Sequence, residues 1–171
     1  MKFLDIFIKF SKIAPQEFGT GCMPTHQYPP SIMEKLSKRI PLFINGSNPL
    51  KMSILNRKIL ILRKDLLKEM RRNSIIKVED GEECHNVVST IIAQSHLMPL
   101  SVYSQPLLWD YDFTFRLFNL PDIIILADGS CYYSEPIAYD KTKFVYPGNF
   151  DRDGSFLSIR PLTGEIESHV I

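Results

Sequence analysis

The strongest candidate for chemistry is the segment after the apolar run "IIILA", where Asp128, Gly129 and Ser130 follow one another. A carboxylate and a hydroxyl at the end of a buried strand lie where α/β enzymes often place reactive groups. Asp-Gly is also a strong turn signal, so Asp128 could simply cap a turn. No convergent catalytic partner is evident in the sequence, and the pattern favours the turn.

The histidines do not form a metal-binding pattern. There are four of them: His26, His85, His96 and His169. None has a second histidine three or four residues away on a helix, the spacing that lets two rings bind one ion. His85 and His96 fall on one predicted helix, but their separation corresponds to about 16 Å at the usual helical rise, which is too far to share an ion.

Other enzyme signatures are absent from the chain. It contains no G-x-S-x-G nucleophile motif, no G-x-x-x-x-G-K-[ST] phosphate loop and no G-x-G-x-x-G motif. Cys22, Cys84 and Cys131 are odd in number and far apart, and no C-x-x-C occurs. Neither a zinc knuckle nor a disulfide framework is therefore indicated, and a reducing compartment is favoured.

The length and charge of the chain limit its number of domains and the classes of partner it can attract. A chain of 171 residues fits one domain, and a net charge of +1 gives no strong attraction to nucleic acid or anionic membrane. The apolar runs are too short to span a bilayer. The most basic stretch, residues 63–72, is either a solvated helix face or a contact for phosphate or an acidic partner.

The elements that must position these residues are short strands and helices. The patterns predict about seven to nine strands and three helices, forming an α+β sandwich. Predicted helices begin at Ser31, cover residues 63–73, and run from residue 81 to a stop at Pro99. Predicted strands cover residues 1–10, 41–45, 50–55, 58–62 and 120–130. A further strand is predicted before a turn at 147–148, and the chain is predicted to close with a two-stranded ribbon that turns at 162–164.

The only tryptophan, Trp109, lies in an aromatic loop with Tyr111, Phe113 and Phe115. Aromatic side chains serve equally in cores and as anchors for a protein partner. Leu107 and Leu108 on one side and Tyr111 and Phe113 on the other give the loop more apolar bulk than one loop usually exposes. We therefore expect Trp109 to plug the core.

Several segments together resemble one family, the B subunits of DNA polymerase epsilon. The clearest is "IIAQSHLMPLSVYSQPLLWDYDFTFRLFNLPDIIILAD", which is similar to a family pattern of SQGHL-x-PL-x-x-Y, P-x-x-W-x-YD and R-x-x-x-x-PD-[LI]-[LIV]-x-x-AD. The likeness extends to "YPGNFDRDGSF", "RIPLFINGSNPLKM", "ILRKDLLKEMRRN" and "PQEFGTGCMPTHQYPP". The matching positions of the first segment are Gln94–Leu97, Pro99, Leu100, Tyr103, Pro106, Trp109, Tyr111, Asp112, Arg116, Pro121, Asp122, Ala127 and Asp128.

This resemblance implies a calcineurin-like phosphoesterase fold without catalysis. In the related active archaeal subunits the "PD" strand ends in a G-H-x-H motif whose histidines hold metal, and here Ala127–Ser130 stand in that place. His96 matches another ligand histidine but stands alone, and one ligand cannot hold a hydrolytic metal. The resemblance therefore implies no catalytic, cofactor-binding or metal-binding residue and no cofactor, while partner-binding residues stay unknown.

The resemblance also implies a fold and a domain assignment. We expect a two-sheet, metallophosphoesterase-like β-sandwich with flanking short helices, and expect residues 1–171 to be the C-terminal part of the inactive domain. The family's N-terminal helical region and oligonucleotide-binding fold find no match in this sequence.

The function implied is that of a non-catalytic accessory subunit in nuclear DNA replication. Its expected partner is the C-terminal zinc-binding region of the polymerase epsilon catalytic subunit, with DNA contacted through the complex and no membrane. Two alternatives stay open. One is a small metal-dependent phosphoesterase in which Asp128 and His96 converge with other ligands. The other is a B subunit of polymerase alpha or delta.

Overall fold

The computed structural model describes residues 22–24, 34–35, 38–40, 46–76, 78–79, 81–127 and 132–171, without the side chains of 132–134. The strands in these ranges are β1 (Leu50–Ile54), β2 (Arg57–Leu62), β3 (Ile123–Leu126), β4 (Tyr132–Tyr139), β5 (Thr142–Pro147), β6 (Ser155–Arg160) and β7 (Glu165–Val170). The helices are α1 (Leu66–Asn73), α2 (Glu83–Gln94), a 3₁₀-helix (Trp109–Thr114) and α3 (Phe150–Asp153).

The main sheet has five strands in the order β1-β2-β3-β5-β4. Strand β3 lies at its centre and pairs in parallel with β2 and β5, whereas β1 and β4 run antiparallel to their neighbours. All four residues of β3 are buried. This explains its unbroken apolar run, because a central parallel strand is covered on both faces.

One face of the sheet packs against α1 and α2. Alternate residues of the central strands point to this side, including Leu60, Ile124 and Phe144. The two helices add the buried residues Leu66, Leu67, Val87, Val88 and Ile91.

The other face is covered by the two-stranded ribbon of β6 and β7. The intervening residues of the central strands form a second cluster there, namely Ile59, Ile61, Ile123, Ile125 and Val145. Leu157, Ile159 and Ile166 of the ribbon pack against it. The chain thus builds a helix layer, a five-stranded sheet and a second sheet, and the predicted α+β class with two sheets is confirmed.

Local signals placed most of these elements correctly. The helix predicted over residues 63–73 is α1, whose N-cap Asp65 accepts a hydrogen bond from the Lys68 N–H at 3.1 Å. The terminal ribbon turns where expected. The β1–β2 hairpin is also confirmed, although its turn residues are Leu55 and Asn56, one position before the predicted pair.

Two predictions were wrong in detail. The segment after β3 contains two strands, β4 and β5, because Asp140 adopts a left-handed conformation (φ 51°) and closes a tight hairpin. Helix α2, which was predicted to run from residue 81 to Pro99, ends at Gln94. Ser95 is left-handed (φ 50°), and the next residues pair with the chain near Arg116. His96 is therefore outside the helix that carries His85.

In the basic stretch of residues 63–72, Lys68, Arg71 and Arg72 lie on the exposed side of α1. Arg71 forms an ion pair with Glu83 of α2 at 3.1 Å, and Arg72 lies 4.0 Å from Glu69. Cys22 is free, but Cys84 is buried and disulfide-bonded, which the cysteine spacing did not indicate.

Some predictions fall outside the described residues. These are the strands at 1–10 and 41–45 and the Ser31 cap, although Glu34, Lys35, Lys38 and Arg39 are helical as expected. In the described part of the chain, no helix has the length and apolar character needed to cross a membrane.

We predict that Leu55→Asn stabilises the protein. Leu55 is exposed and has φ 46°, a left-handed conformation that costs a leucine more than an asparagine, and the hairpin turn favours Asn at such positions. The free energy of unfolding should rise by about 0.5–1 kcal/mol, measured by urea denaturation. The matched control Leu162→Asn, at an exposed leucine without positive φ, should change it little; equal gains in both variants would contradict the explanation.

Candidate functional site

The segment around Trp109 is fastened to the body of the protein at both ends. Before the 3₁₀-helix, the Met23 N–H donates to the Pro106 carbonyl at 3.0 Å and the Leu108 N–H donates to the Met23 carbonyl at 2.8 Å. After it, the Leu97 N–H donates to the Phe115 carbonyl at 2.9 Å, and the Phe115 side chain is fully buried. The 3₁₀-helix is therefore held in one position relative to the core.

The helix itself presents its aromatic residues to solvent. Trp109 is 71% exposed, Tyr111 51% and Phe113 64%. The prediction that Trp109 plugs the core is wrong, because Phe115 and the partly buried Leu107 fill that role from either side of the helix. We call Trp109, Tyr111 and Phe113 the aromatic surface.

A network of His96, Asp112 and Arg116 links the 3₁₀-helix to the segments on either side of it. Asp112 places one carboxylate oxygen 3.2 Å from His96 Nε2 and accepts a 2.7 Å hydrogen bond from Arg116 Nε on the other. His96 Nδ1 lies 3.1 Å from the Met98 backbone nitrogen and 3.2 Å from the Met98 carbonyl oxygen, so both ring nitrogens have polar partners. The His96 and Asp112 side chains are mostly buried, at 16% and 13% exposure.

The network sets the protonation of Asp112. Burial is the largest single influence and raises its pKa, but the hydrogen bonds and charges of Arg116 and His96 together outweigh burial. The pKa of Asp112 therefore lies below its ordinary value, and the carboxylate is ionised at neutral pH.

The network does not have the composition of a metal centre. In the ranges described above, no three His, Cys, Asp or Glu side chains are grouped as metal ligands would be. His96, the residue that matches a ligand in active phosphoesterases, has both ring nitrogens engaged. The candidate residues Asp128, Gly129 and Ser130 lie outside the described residues. What this arrangement can do is hold an aromatic surface in a fixed geometry.

Sequence reasoning missed the network, although it contained a signal. Asp112 and Arg116 are four residues apart, the spacing of a helical ion pair. His96 was considered only as a metal ligand, and its real partner is sixteen residues away in sequence. The bridge between His96 and Arg116 brings the two segments together, and no local pattern announces it.

We predict that Asp112→Asn destabilises the protein at neutral pH by about 1–2 kcal/mol, since it weakens two charge-assisted hydrogen bonds that are partly open to solvent. The pKa of Asp112 is lower in the folded than in the unfolded protein, so its contribution is present above about pH 3.9 and is lost as the pH falls through the folded value. Urea unfolding of both proteins between neutral and acid pH should show the difference shrinking toward the acid end.

Asp110→Asn is the matched control, because Asp110 lies on the same helix but is exposed and forms no ion pair among the described residues. It should leave the free energy of unfolding nearly unchanged across this range. A neutral-pH loss as large as that of Asp112→Asn would contradict the role of the network.

We also predict that the fluorescence of Trp109, the only tryptophan, is red-shifted and readily quenched by acrylamide in the isolated chain. Trp109→Ala should change the free energy of unfolding by no more than about 0.5 kcal/mol, as at other exposed positions. Phe115→Ala, at the buried aromatic of the same segment, should cost about 3–5 kcal/mol. A blue-shifted, protected emission would restore the core-plug interpretation.

Comparison with known proteins identifies the family. The model of one family, described as the B subunit of DNA polymerase alpha/epsilon, matches residues 15–135, most of the chain. The matched range includes the aromatic surface and the whole His96–Asp112–Arg116 network.

Individual relatives agree with this match. The DNA polymerase epsilon B subunit of Arabidopsis thaliana is 35% identical over 157 residues, covering 90% of this chain and 30% of the relative. DNA polymerase epsilon subunit 2 of Homo sapiens is 30% identical over 158 residues, covering 90% of this chain and 29% of the relative. The chain thus spans less than a third of the length of these relatives. It belongs to the family of DNA polymerase alpha/epsilon B subunits.

Proposed function

We propose that this protein is a non-catalytic accessory subunit of DNA polymerase epsilon that scaffolds the catalytic subunit in nuclear DNA replication. The observation that supports this most is the similarity to relatives named as the B subunit, or subunit 2, of DNA polymerase epsilon, which extends over 90% of the chain in the Arabidopsis and human proteins. Both of these relatives are named for epsilon, which favours this polymerase over alpha or delta.

The aromatic surface is the proposed docking site for the catalytic subunit. Binding energy at protein interfaces is concentrated in tryptophan, tyrosine and arginine anchors. Trp109 and Tyr111 are such residues, and they are exposed. They also sit on a helix fixed by Phe115 and by Asp112, so little conformational entropy is lost when a partner binds. The proposed partner element is the zinc-binding C-terminal region that the family resemblance implies.

The inactive phosphoesterase-like fold is part of the same proposal. The two packed sheets with helices on one outer side are compatible with the C-terminal part of such a domain, to which we assign residues 1–171. The engagement of both His96 nitrogens supports the absence of catalysis, because a metal ligand needs one of them free. No observation on the described residues favours the alternative metal-dependent phosphoesterase, which would show manganese-dependent hydrolysis of a chromogenic phosphodiester lost in His96→Ala.

We predict that the double variant Trp109→Ala/Tyr111→Ala weakens binding to the catalytic subunit by about 2 kcal/mol or more, roughly thirtyfold, because it removes two aromatic anchors. The measurement is co-purification, then titration, of the full chain with the C-terminal region of the catalytic subunit. Thermal unfolding of the free variant should match that of the unmodified chain, which separates binding from folding.

Phe150→Ala is the matched control, since Phe150 is an aromatic of similar exposure (56%) on α3 next to the ribbon. It should bind as well as the unmodified chain. Equal binding by both variants would remove the aromatic surface from the interface, and failure of the unmodified chain to bind would refute the proposed partner.

A further inference from the structure

A second surface feature lies beside the network and shares only Arg116 with it. A groove of about 320 Å³ runs between the β1–β2 hairpin and the segment that follows the 3₁₀-helix. We call it the basic groove. Its charged and polar lining residues are Lys51, Ser53, Lys58, Arg116 and Asn119, and its apolar ones are Met52, Ile59, Leu60, Leu117 and Pro121.

The register of the hairpin places its two lysines together. Lys51 is paired with Leu60 and Ser53 with Lys58 across the antiparallel strands. Directly paired residues and residues two apart point to the same face, so Lys51 and Lys58 share the side of the sheet that carries Leu60. The helices α1 and α2 cover the centre of this face, and the basic groove lies near its β1 margin.

The positive charge of the basic groove is only partly neutralised. Arg116 is paired with Asp112 through Nε, at 2.7 Å. Among the described residues, neither Lys51 nor Lys58 forms an ion pair, and no carboxylate lines the groove. Asp122 accepts the Lys58 backbone N–H at 2.8 Å, but its own charge is shared with Arg57 at 3.4 Å. The groove therefore attracts negative charge.

Apolar surface accompanies this charge. Leu60 and Leu117 are buried beneath the groove, and Phe118, which follows Leu117, is 80% exposed. We infer that the basic groove binds an acidic peptide segment of a protein partner, with carboxylates meeting Lys51, Lys58 and Arg116 and apolar side chains covering Phe118 and the groove floor.

A peptide fits these residues better than nucleic acid does. Nucleic-acid binding depends on many phosphate contacts and a broad positive field, whereas the whole chain carries a net charge of +1. The floor of the groove is aliphatic, which suits leucine-like side chains. Phe118 beside the groove is a single ring, whereas proteins that bind single strands stack successive bases on several aromatic residues. This site is separate from the aromatic surface, because Trp109, Tyr111 and Phe113 do not line it.

The test uses the full chain and a short fluorescent peptide of alternating Glu and Leu, titrated by anisotropy at low and moderate salt. We expect binding that weakens as salt rises. Lys51→Glu/Lys58→Glu should weaken it by at least about tenfold, because two attractions become repulsions. Lys51→Gln/Lys58→Gln should give a smaller loss in the same direction.

The matched control is Lys68→Glu/Lys141→Glu, which reverses two exposed lysines outside the groove and changes the net charge equally. It should bind the peptide like the unmodified chain. Equal losses in the two reversal variants, equal binding of a Lys/Leu peptide, or tighter binding of a single-stranded oligonucleotide at the same lysines would each overturn the inference. Because the catalytic subunit is absent from this assay, the result is independent of the proposed function.

Discussion

The structure depends on the complete burial of strand β3. Its four residues, Ile123–Leu126, have no polar side chain and are buried on both faces. Such a strand needs hydrogen-bonding neighbours on both edges and an apolar layer on each side. Strands β2 and β5 are its hydrogen-bonding neighbours, and the helices and the ribbon form the two apolar layers. Asp122 fixes the start of the strand, because its carboxylate accepts a hydrogen bond from the Lys58 N–H. This hydrogen bond, together with Arg57, keeps the pKa of Asp122 below its ordinary value.

This arrangement decides which aromatics are free for binding. The sheet faces are filled largely by isoleucine and leucine, and in the described part of the chain the large buried rings are Phe144, Tyr146 and Phe115. The 3₁₀-helix needs only Phe115 to anchor it, since the charged network and backbone hydrogen bonds fix the rest. Its other aromatics are therefore not required by the core. Exposed apolar patches often mark interaction sites, which agrees with the docking role proposed for the aromatic surface.

Sequence patterns predicted the parts of the fold that are specified locally. The stripe Leu66, Leu67 and Met70 defined α1, and the unbroken apolar run defined β3. The end of α2 could not be predicted, because a tertiary bridge to Arg116 ends the helix before Pro99 is reached. The exposure of Trp109 was missed for a similar reason. Apolar bulk alone does not say which aromatic ring faces the core. Phe115 is the ring that does so, because its backbone pairs with Leu97. The family could be predicted from the order of motifs, which periodicity does not reveal. The resemblance gave no indication of the basic groove.

Arg116 connects the two surfaces, and its chemistry allows it to serve both. A guanidinium has donors on more than one side, and Asp112 uses Nε. That bond leaves the N–H groups of the two Nη atoms, and in the proposed complex these meet a carboxylate in the basic groove without breaking it. A lysine ammonium carries the same charge but lacks the planar set of donors that holds two carboxylates in fixed directions. The same geometry means that changing Arg116 would disturb the aromatic surface and the groove together, so the two are separated experimentally only through residues that belong to one of them: Lys51 and Lys58 on one side, Trp109 and Tyr111 on the other.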